Sequence, residues 1–344
     1  MSRAGGAIET LHPAYFALVM ATGIVSIAAQ LLVAPALATF LFVANLLFAS
    51  VLVALLTMRV LWYRRAVVAD LQSHGRAVGF FTLVAATAVL GSQTLVIANQ
   101  WRAAAMLWTV AIALWVITTY TVFTVLSVKR EKPTLEAGIN GGWLVAVVAP
   151  QSIAVLGAQL ASGFGDSAPT VLFFSLVMWL GAGMLYIWII SLIFYRYSFF
   201  ALSPADLAPP YWINMGAVAI STLAGSLLVM AAPLSPLLTE LRPFIKGLTL
   251  LFWATATWWI PMLVILGVWR HGYRRFPLQY DPLYWGAVFP LGMYTVCTYR
   301  LAEAIEMPAL VTVSRVGVWI ALAAWTTAFM GLCLTLNRGR SRPA

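Results

Sequence analysis

Three histidines, two cysteines and ten acidic residues are all that the chain offers for acid–base, nucleophilic or metal chemistry. Their spacing supports none of it. His12, His74 and His271 are too scattered to hold a metal. Cys297 and Cys333 both fall inside apolar stretches and imply neither a disulfide framework nor a zinc site. No nucleophile–base arrangement and no phosphate-cradling loop is recognisable, so neither an enzyme nor a cofactor is expected. What recurs instead is neutral hydrogen-bonding groups in apolar surroundings: Thr22, Ser26, Thr87, Ser92, Gln93, Gln151, Ser152, Asn214, Ser221, Thr222, Tyr294 and Thr295. Gln93, Gln151 and Asn214 are costly to bury without partners. Facing a pore is one solution, and bonding from helix to helix is the other. Arg300 and Glu303, three apart, share one helix face. They form either a surface ion pair at a pore mouth or, within the pore, a cation that attracts anions. His12 stands at the entry of the first apolar stretch, as an interfacial residue or as a mouth residue titrating near neutrality. Asp166, Glu240 and Glu306 lie near loops, which leaves no relay of buried acids and no acidic ring of the kind cation channels use. A neutral, net-basic lining suits small anions.

Such a lining needs a membrane scaffold, and the rest of the chain supplies one. Apolar residues make up 62% of the 344 residues and charged ones 9%, too few for a soluble domain. Nine long stretches carry no charge, the longest being 13–58. As one helix it would run about 69 Å, whereas about 20 apolar residues cross a bilayer, so it is two spans with a break at Val33-Ala34-Pro35. The chain therefore predicts an all-α integral membrane protein of ten transmembrane helices: 13–33, 36–62, 77–97, 103–128, 139–161, 169–195, 211–232, 244–269, 282–305 and 311–337. The first stretch is expected to be a permanent helix pair, not a signal peptide. The net charge of +10 is scattered over short loops, with no soluble basic domain to hold nucleic acid.

The loops set an orientation. Arg3, Arg59, Arg64, Arg65, Arg76, Lys129, Arg130, Lys132, Arg196, Arg270, Arg274, Arg275, Arg338, Arg340 and Arg342 fall on one side. Arg102, Arg242, Lys246, Arg300 and Arg315 fall on the other, 15 against 5 of the 20 basic residues. The positive-inside rule places both termini in the cytoplasm.

Short connections on the opposite side pair the helices into five hairpins, at about 13–62, 77–128, 139–195, 211–269 and 282–337, within one transmembrane domain. Odd helices are rich in Ala, Gly, Ser and Thr, and even ones in Leu, Phe and Trp. Each odd helix begins near an aromatic residue, Tyr15, Phe81, Trp143, Trp212 or Trp285, at spacings that suggest a repeated unit. Small residues let backbones approach closely. The alternation predicts an inner ring of five small-sided helices around a narrow central pore, and an outer ring facing lipid. Pro150 and Pro290, deep in inner helices, free carbonyls that are tolerated where they are buried or face a wet cavity.

HPAYFALVMATGIVS, FFTLVAATAVLGSQ, WLVAVVAPQS and YWGAVFPLGMY resemble the tellurite-resistance/dicarboxylate transporter family. That family includes plant slow-type anion channels, yeast malate permeases and yeast sulfite exporters. The resemblance spans all ten helices. Its most specific part is Tyr284-Trp285 to Phe289-Pro290. It implies five hairpins around a pore, a homotrimer with one pore per subunit, and a plug role for Phe289 beside Pro290. Gly292 is closer to the malate and sulfite branch than to the plant channels, and the long regulatory tails of the plant proteins are missing.

Together these features predict transport of small anions (C4-dicarboxylates such as malate, sulfite, halide or nitrate) in a cytoplasmic membrane. The gate is Phe289 with Pro290. Thr22, Thr87, Gln93, Pro150, Gln151, Asn214, Ser221, Tyr294 and Thr295 are lining candidates, and His12, Arg300 and Glu303 are mouth candidates. An interior-negative potential drives each negative charge outward with about 2.3 kcal/mol per 100 mV, so anion efflux needs no coupling. A proton-coupled dicarboxylate carrier with a discrete site is the alternative within transport. A membrane-embedded enzyme or cofactor subunit is the alternative of another class, and it expects paired histidines within helices. The charge split predicts that a reporter active only outside the cytoplasm stays silent when fused after Ala344; a strong signal overturns the orientation or the helix count.

Overall fold

Long uncharged segments in lipid must satisfy their backbone groups internally, and helices do so. A computed structural model of the chain describes residue 6 and residues 8–340, the last three as backbone only. Among the described residues it contains ten long helices and no strand. They are α1 (Ala17–Leu32), α2 (Pro35–Trp62), α3 (Phe81–Val96), α4 (Trp101–Val128), α5 (Val145–Leu160), α6 (Ala168–Phe199), α7 (Ile213–Ala231), α8 (Pro236–Val268), α9 (Trp285–Ala304) and α10 (Leu310–Arg340). Arg3 and Arg342, counted in the charge split, lie outside the described residues, as do the side chains of Arg338 and Arg340. Eight segments are long and apolar enough to cross a membrane; one of them, Gly141–Phe199, holds both α5 and α6. α9 is not among the eight: it carries Arg300 and Glu303 and packs within the protein, so it needs less apolar surface.

Consecutive helices pack in pairs through tight turns. Asn99, Gly165 and Glu306 take left-handed backbone at three of these turns, with φ of 52, 55 and 61°. The odd helices form a closed ring: α1 touches α3, α3 touches α5, α5 touches α7, α7 touches α9, and α9 returns to α1. Each even helix lies outside that ring, against its own partner and the next odd helix. Burial follows the division. In the most apolar part of Pro13–Leu32, 78% of residues are buried, against 17% in that of Pro35–Trp62. Phe40, Leu47, Ile117, Trp188, Trp258 and Trp319 project from the outer helices into what must be lipid.

Two features were not legible in the sequence. Each inner helix is entered through a 3₁₀ turn: Pro13–Phe16, Val78–Phe80, Gly141–Leu144, Pro209–Trp212 and Pro282–Tyr284. The five recurring aromatics sit in or directly after these turns. α8 begins at Pro236 and not at 244. The Ser235 hydroxyl caps it by accepting the Leu238 N–H at 3.4 Å. Its first turns stay helical because Glu240 and Arg242 are exposed while Leu238 and Ile245 are buried.

At the end where the inner helices begin, basic residues of the outer helices hold the incoming chain. Arg59 Nε donates to the Glu9 carbonyl, Lys129 Nζ to that of Gln72, and Arg196 Nε to that of Glu136. Arg59 also reaches Asp70 at 2.7 Å, and Arg76 shares the same carboxylate. Arg59 and Asp70 are buried, so removing one partner strands a charge. Asp70→Asn is expected to cost about 3 kcal/mol, seen as a lower thermal unfolding midpoint in detergent. The exposed Arg65→Gln should stay within about 0.5 kcal/mol.

Candidate functional site

The ring of odd helices encloses two cavities. The larger, about 260 Å³, lies where the helices begin. The smaller, about 20 Å³, lies toward their far ends. Every inner helix contributes to both, at helical spacing along a single face. α1 gives Met20, then Ile24 and Ile27; α3 gives Thr82, then Val89 and Ser92; α5 gives Val148, then Ser152 and Val155. α7 gives Ile213, then Ile220; α9 gives Phe289, then Met293, Val296 and Arg300. The cavities therefore follow one axis. Phe289, 1% exposed, lines the larger cavity one turn before Met293 lines the smaller. The smaller has room for about one water.

Pro290 follows Phe289 in mid-helix and seats against Gly216 of α7. A Cβ at Gly216 would fall 2.6 Å from the Pro290 ring. Glycine there lets two inner helices meet beside the constriction.

The sequence-derived lining candidates lie elsewhere. Thr22 Oγ1 accepts the Trp325 indole N–H at 2.9 Å, and Gln93 Oε1 accepts the Asn45 amide at 2.6 Å. Gln151 Nε2 donates to the Trp179 carbonyl at 3.1 Å, Asn214 Nδ2 to the Tyr197 hydroxyl at 3.5 Å, and Tyr294 pairs with Thr257 at 2.8 Å. These five bonds all point to outer helices. The Thr87, Ser221 and Thr295 hydroxyls bond back to the carbonyls of Leu83, Ala217 and Leu291 in their own helices. Pro150 is buried within α5. None of these nine lines either cavity. The physical reason is that a polar group between two helices finds a partner in the neighbour, whereas the axis is faced mainly by Met, Ile and Val. The neutral polar side chains of the inner helices that do face it are Thr82, Ser92, Ser152 and Gln159.

Two of the three mouth candidates, His12 and Arg300, line the cavities, and Glu303 lines neither. His12 lines the larger one, and its Nδ1 accepts the Ala14 N–H at 3.0 Å, capping the first 3₁₀ turn. Arg300 lines the smaller one and is paired with Glu303 at 2.8 Å. The larger cavity also contains a cation that sequence inspection had assigned to topology alone. Arg196, in the last turn of α6, lines it beside Asp206 and Asn140. The five 3₁₀ entry turns all contribute lining residues, among them Ala14, Val78, Gly142, Pro210 and Leu283. The positive ends of the helix dipoles thus converge on one space.

Burial pushes the His12 pKa down from 6.5 to about 4, and the Arg76 charge adds to the effect. His12 is therefore neutral near pH 7. A folded-state pKa below the unfolded value means that the unfolded chain takes up the proton first. This contribution to stability is complete above about pH 6.5 and is lost as pH falls toward about 4. His12→Asn, which keeps a capping acceptor without titrating there, is expected to flatten the fall in unfolding midpoint across that window. An unchanged slope would remove His12 as its source.

Comparison with known proteins agrees with this architecture. Residues 10–333 match the SLAC1 family, described as voltage-dependent anion channels. An uncharacterized membrane protein of Mycobacterium tuberculosis is 41% identical over 165 residues, covering 46% of this chain and 83% of that protein. Two uncharacterized transporters of Methanocaldococcus jannaschii are each 23% identical, over 313 and 306 residues, covering 87% and 85% of this chain and 86% and 85% of theirs. With a ring of apolar helices around an axial cavity and a family match over nearly its whole length, the chain is a multi-pass membrane protein and belongs to the SLAC1 voltage-dependent anion channel family.

Proposed function

We propose that the chain conducts small anions through the axis of its inner ring, with Phe289 as the gate, ten membrane crossings and both termini on the cytoplasmic side of a cytoplasmic membrane. The observation that carries this is the pair of cavities on one helical face, divided at the level of Phe289. An aromatic ring buried between two axial cavities blocks ion passage by steric and dewetting barriers. Arg196 borders the larger cavity together with Glu136 and Asp206, and Arg300 borders the smaller one; the convergent helix N-termini add the positive potential that supports anions. C4-dicarboxylates such as malate, sulfite, halide and nitrate are the substrate candidates. The larger cavity, about 260 Å³, has room for any of them. The exposed apolar outer faces are compatible with lipid and with the homotrimer that the resemblance implies.

The test is electrical. Phe289→Ala in planar bilayers or proteoliposomes should raise anion current severalfold, with chloride, nitrate, sulfite and malate exchanged in turn. Unitary currents far above carrier turnover would favour a channel over a carrier. A well-folded Phe289→Ala protein conducting at the wild-type level would reduce Phe289 to packing. Absence of anion flux through both forms would remove the transport reading itself.

A further inference from the structure

A buried guanidinium normally has every N–H engaged, because an unpaired charged donor is costly to desolvate. Arg196 departs from this. Its side chain is 6% exposed. Nε donates to the Glu136 carbonyl at 2.8 Å, and Nη2 lies 3.4 Å from Asp206 Oδ2. Nη1 is buried with no hydrogen-bond partner. The residue lines the larger axial cavity, and its second ligand is loosely held. Asp206 is 36% exposed, and the same Oδ2 also accepts the Ser203 N–H and hydroxyl at 2.8 Å each. Burial raises the Asp206 pKa, but the Ser203 bonds and the Arg196 charge outweigh it and hold the carboxyl below its usual range.

The other groups on this cavity do not compete for the cation. His12 is neutral near pH 7 and its Nδ1 is occupied. Asn140 Oδ1 accepts the Gly142 N–H. The carboxylate of Glu136 belongs to an exposed residue, and its carbonyl is the group that holds Nε. Arg59 likewise has a buried Nη1 without a partner, but its carboxylate, Asp70 at 2.7 Å, is itself buried. The two arginines close the first and third pairs in similar ways, yet of the two only Arg196 faces the axial cavity.

We propose that Arg196 is an anion-binding residue of the axial cavity, and that Asp206 is a built-in competitor which an entering small anion displaces from it. This rests on the anion-transport reading and names a site within it. Nη1 and Nη2 form the fork that suits carboxylates and oxyanions over a spherical halide. The entering anion takes Nη1 and Nη2, and the Asp206 carboxylate remains on Ser203. Nε stays on the Glu136 carbonyl, so the guanidinium is already oriented before the anion arrives.

The full chain in detergent is titrated with malate, nitrate and chloride, with thermal stabilisation as the binding readout. The same anions are then followed as flux in proteoliposomes. Asp206→Asn removes the competitor, and the half-saturating malate concentration should fall about tenfold, the equivalent of one charge-assisted bond. Arg196→Lys keeps the charge and loses the fork. It should weaken malate and nitrate about tenfold while changing chloride much less. Arg196→Gln should abolish stabilisation by all three anions. A merely structural arginine would lower the unfolding midpoint in these variants without changing the ratio of malate to chloride. If Arg196→Lys fails to fold, Asp206→Asn still decides: an unchanged half-saturation in both readouts overturns the proposal. If wild type binds malate but passes no anion, the transport reading fails and the site stands. If wild type transports while its titrations are indifferent to Arg196 and Asp206, the site fails and transport stands.

Discussion

One type of bond holds the ring closed. From each outer helix a side-chain N–H reaches across to the inner helix of the next pair. Asn45 of α2 donates to Gln93 of α3. Trp108 of α4 donates to the Ile153 carbonyl of α5, and Trp179 of α6 to the Ser221 carbonyl of α7. Trp253 of α8 donates to Thr298 of α9, and Trp325 of α10 returns to Thr22 of α1. These are five clasps around five pairs. Between membrane helices there is little hydrophobic drive, so packing and such bonds set which surfaces meet. An indole has a single donor, and it must be satisfied if buried. Each clasp therefore fixes the rotation of an inner helix about its own axis, and with it the face turned to the cavities.

The clasps explain which parts of the molecule can be read from sequence. The division into small-sided and bulky helices was legible, because lipid exposure and close packing select different residues. Phe289 was singled out by resemblance; it lines the larger cavity, and Met293, Val296 and Arg300 follow it on the smaller. The direction of each polar side chain was not legible. Gln93, Thr22 and the Ser221 backbone are where clasps land, and a polar residue on a small-sided helix looks the same whether it serves a neighbour or a lumen. A usable signal existed in the apolar stripe of Met20, Ile24 and Ile27 beside Val148 and Val155. Hydroxyls drew attention from it.

Arg196 was obscured for a different reason. A basic residue after an apolar helix is fully accounted for by membrane orientation, so nothing prompted a second role. Yet an acid follows at a recurring interval: Arg59 with Asp70, Arg196 with Asp206, and Arg270 with Asp281. The first two are ion pairs; Asp281 Oδ1 instead caps the last 3₁₀ turn through the Leu283 N–H. Three of the five pairs thus carry the same parts, and small differences in placement separate a cation held among structural groups from one that faces the axial cavity.

The Trp325–Thr22 bond joins residues 303 positions apart. Its consequence concerns the order in which the wall can be assembled. Helices enter a bilayer in chain order, and α1 is left without its last neighbour until α9 and α10 arrive. Until then the small-sided surfaces of α1 and α9 have no counterpart, and the axial space has no complete wall. An open-sided intermediate therefore has no closed wall around the axis, and the ring is complete only once α9 and α10 are in place. Loops between earlier pairs have local contacts to guide them, whereas this seam depends on the longest closure in the chain. Among the five seams of the ring, this one is the last to form in chain order.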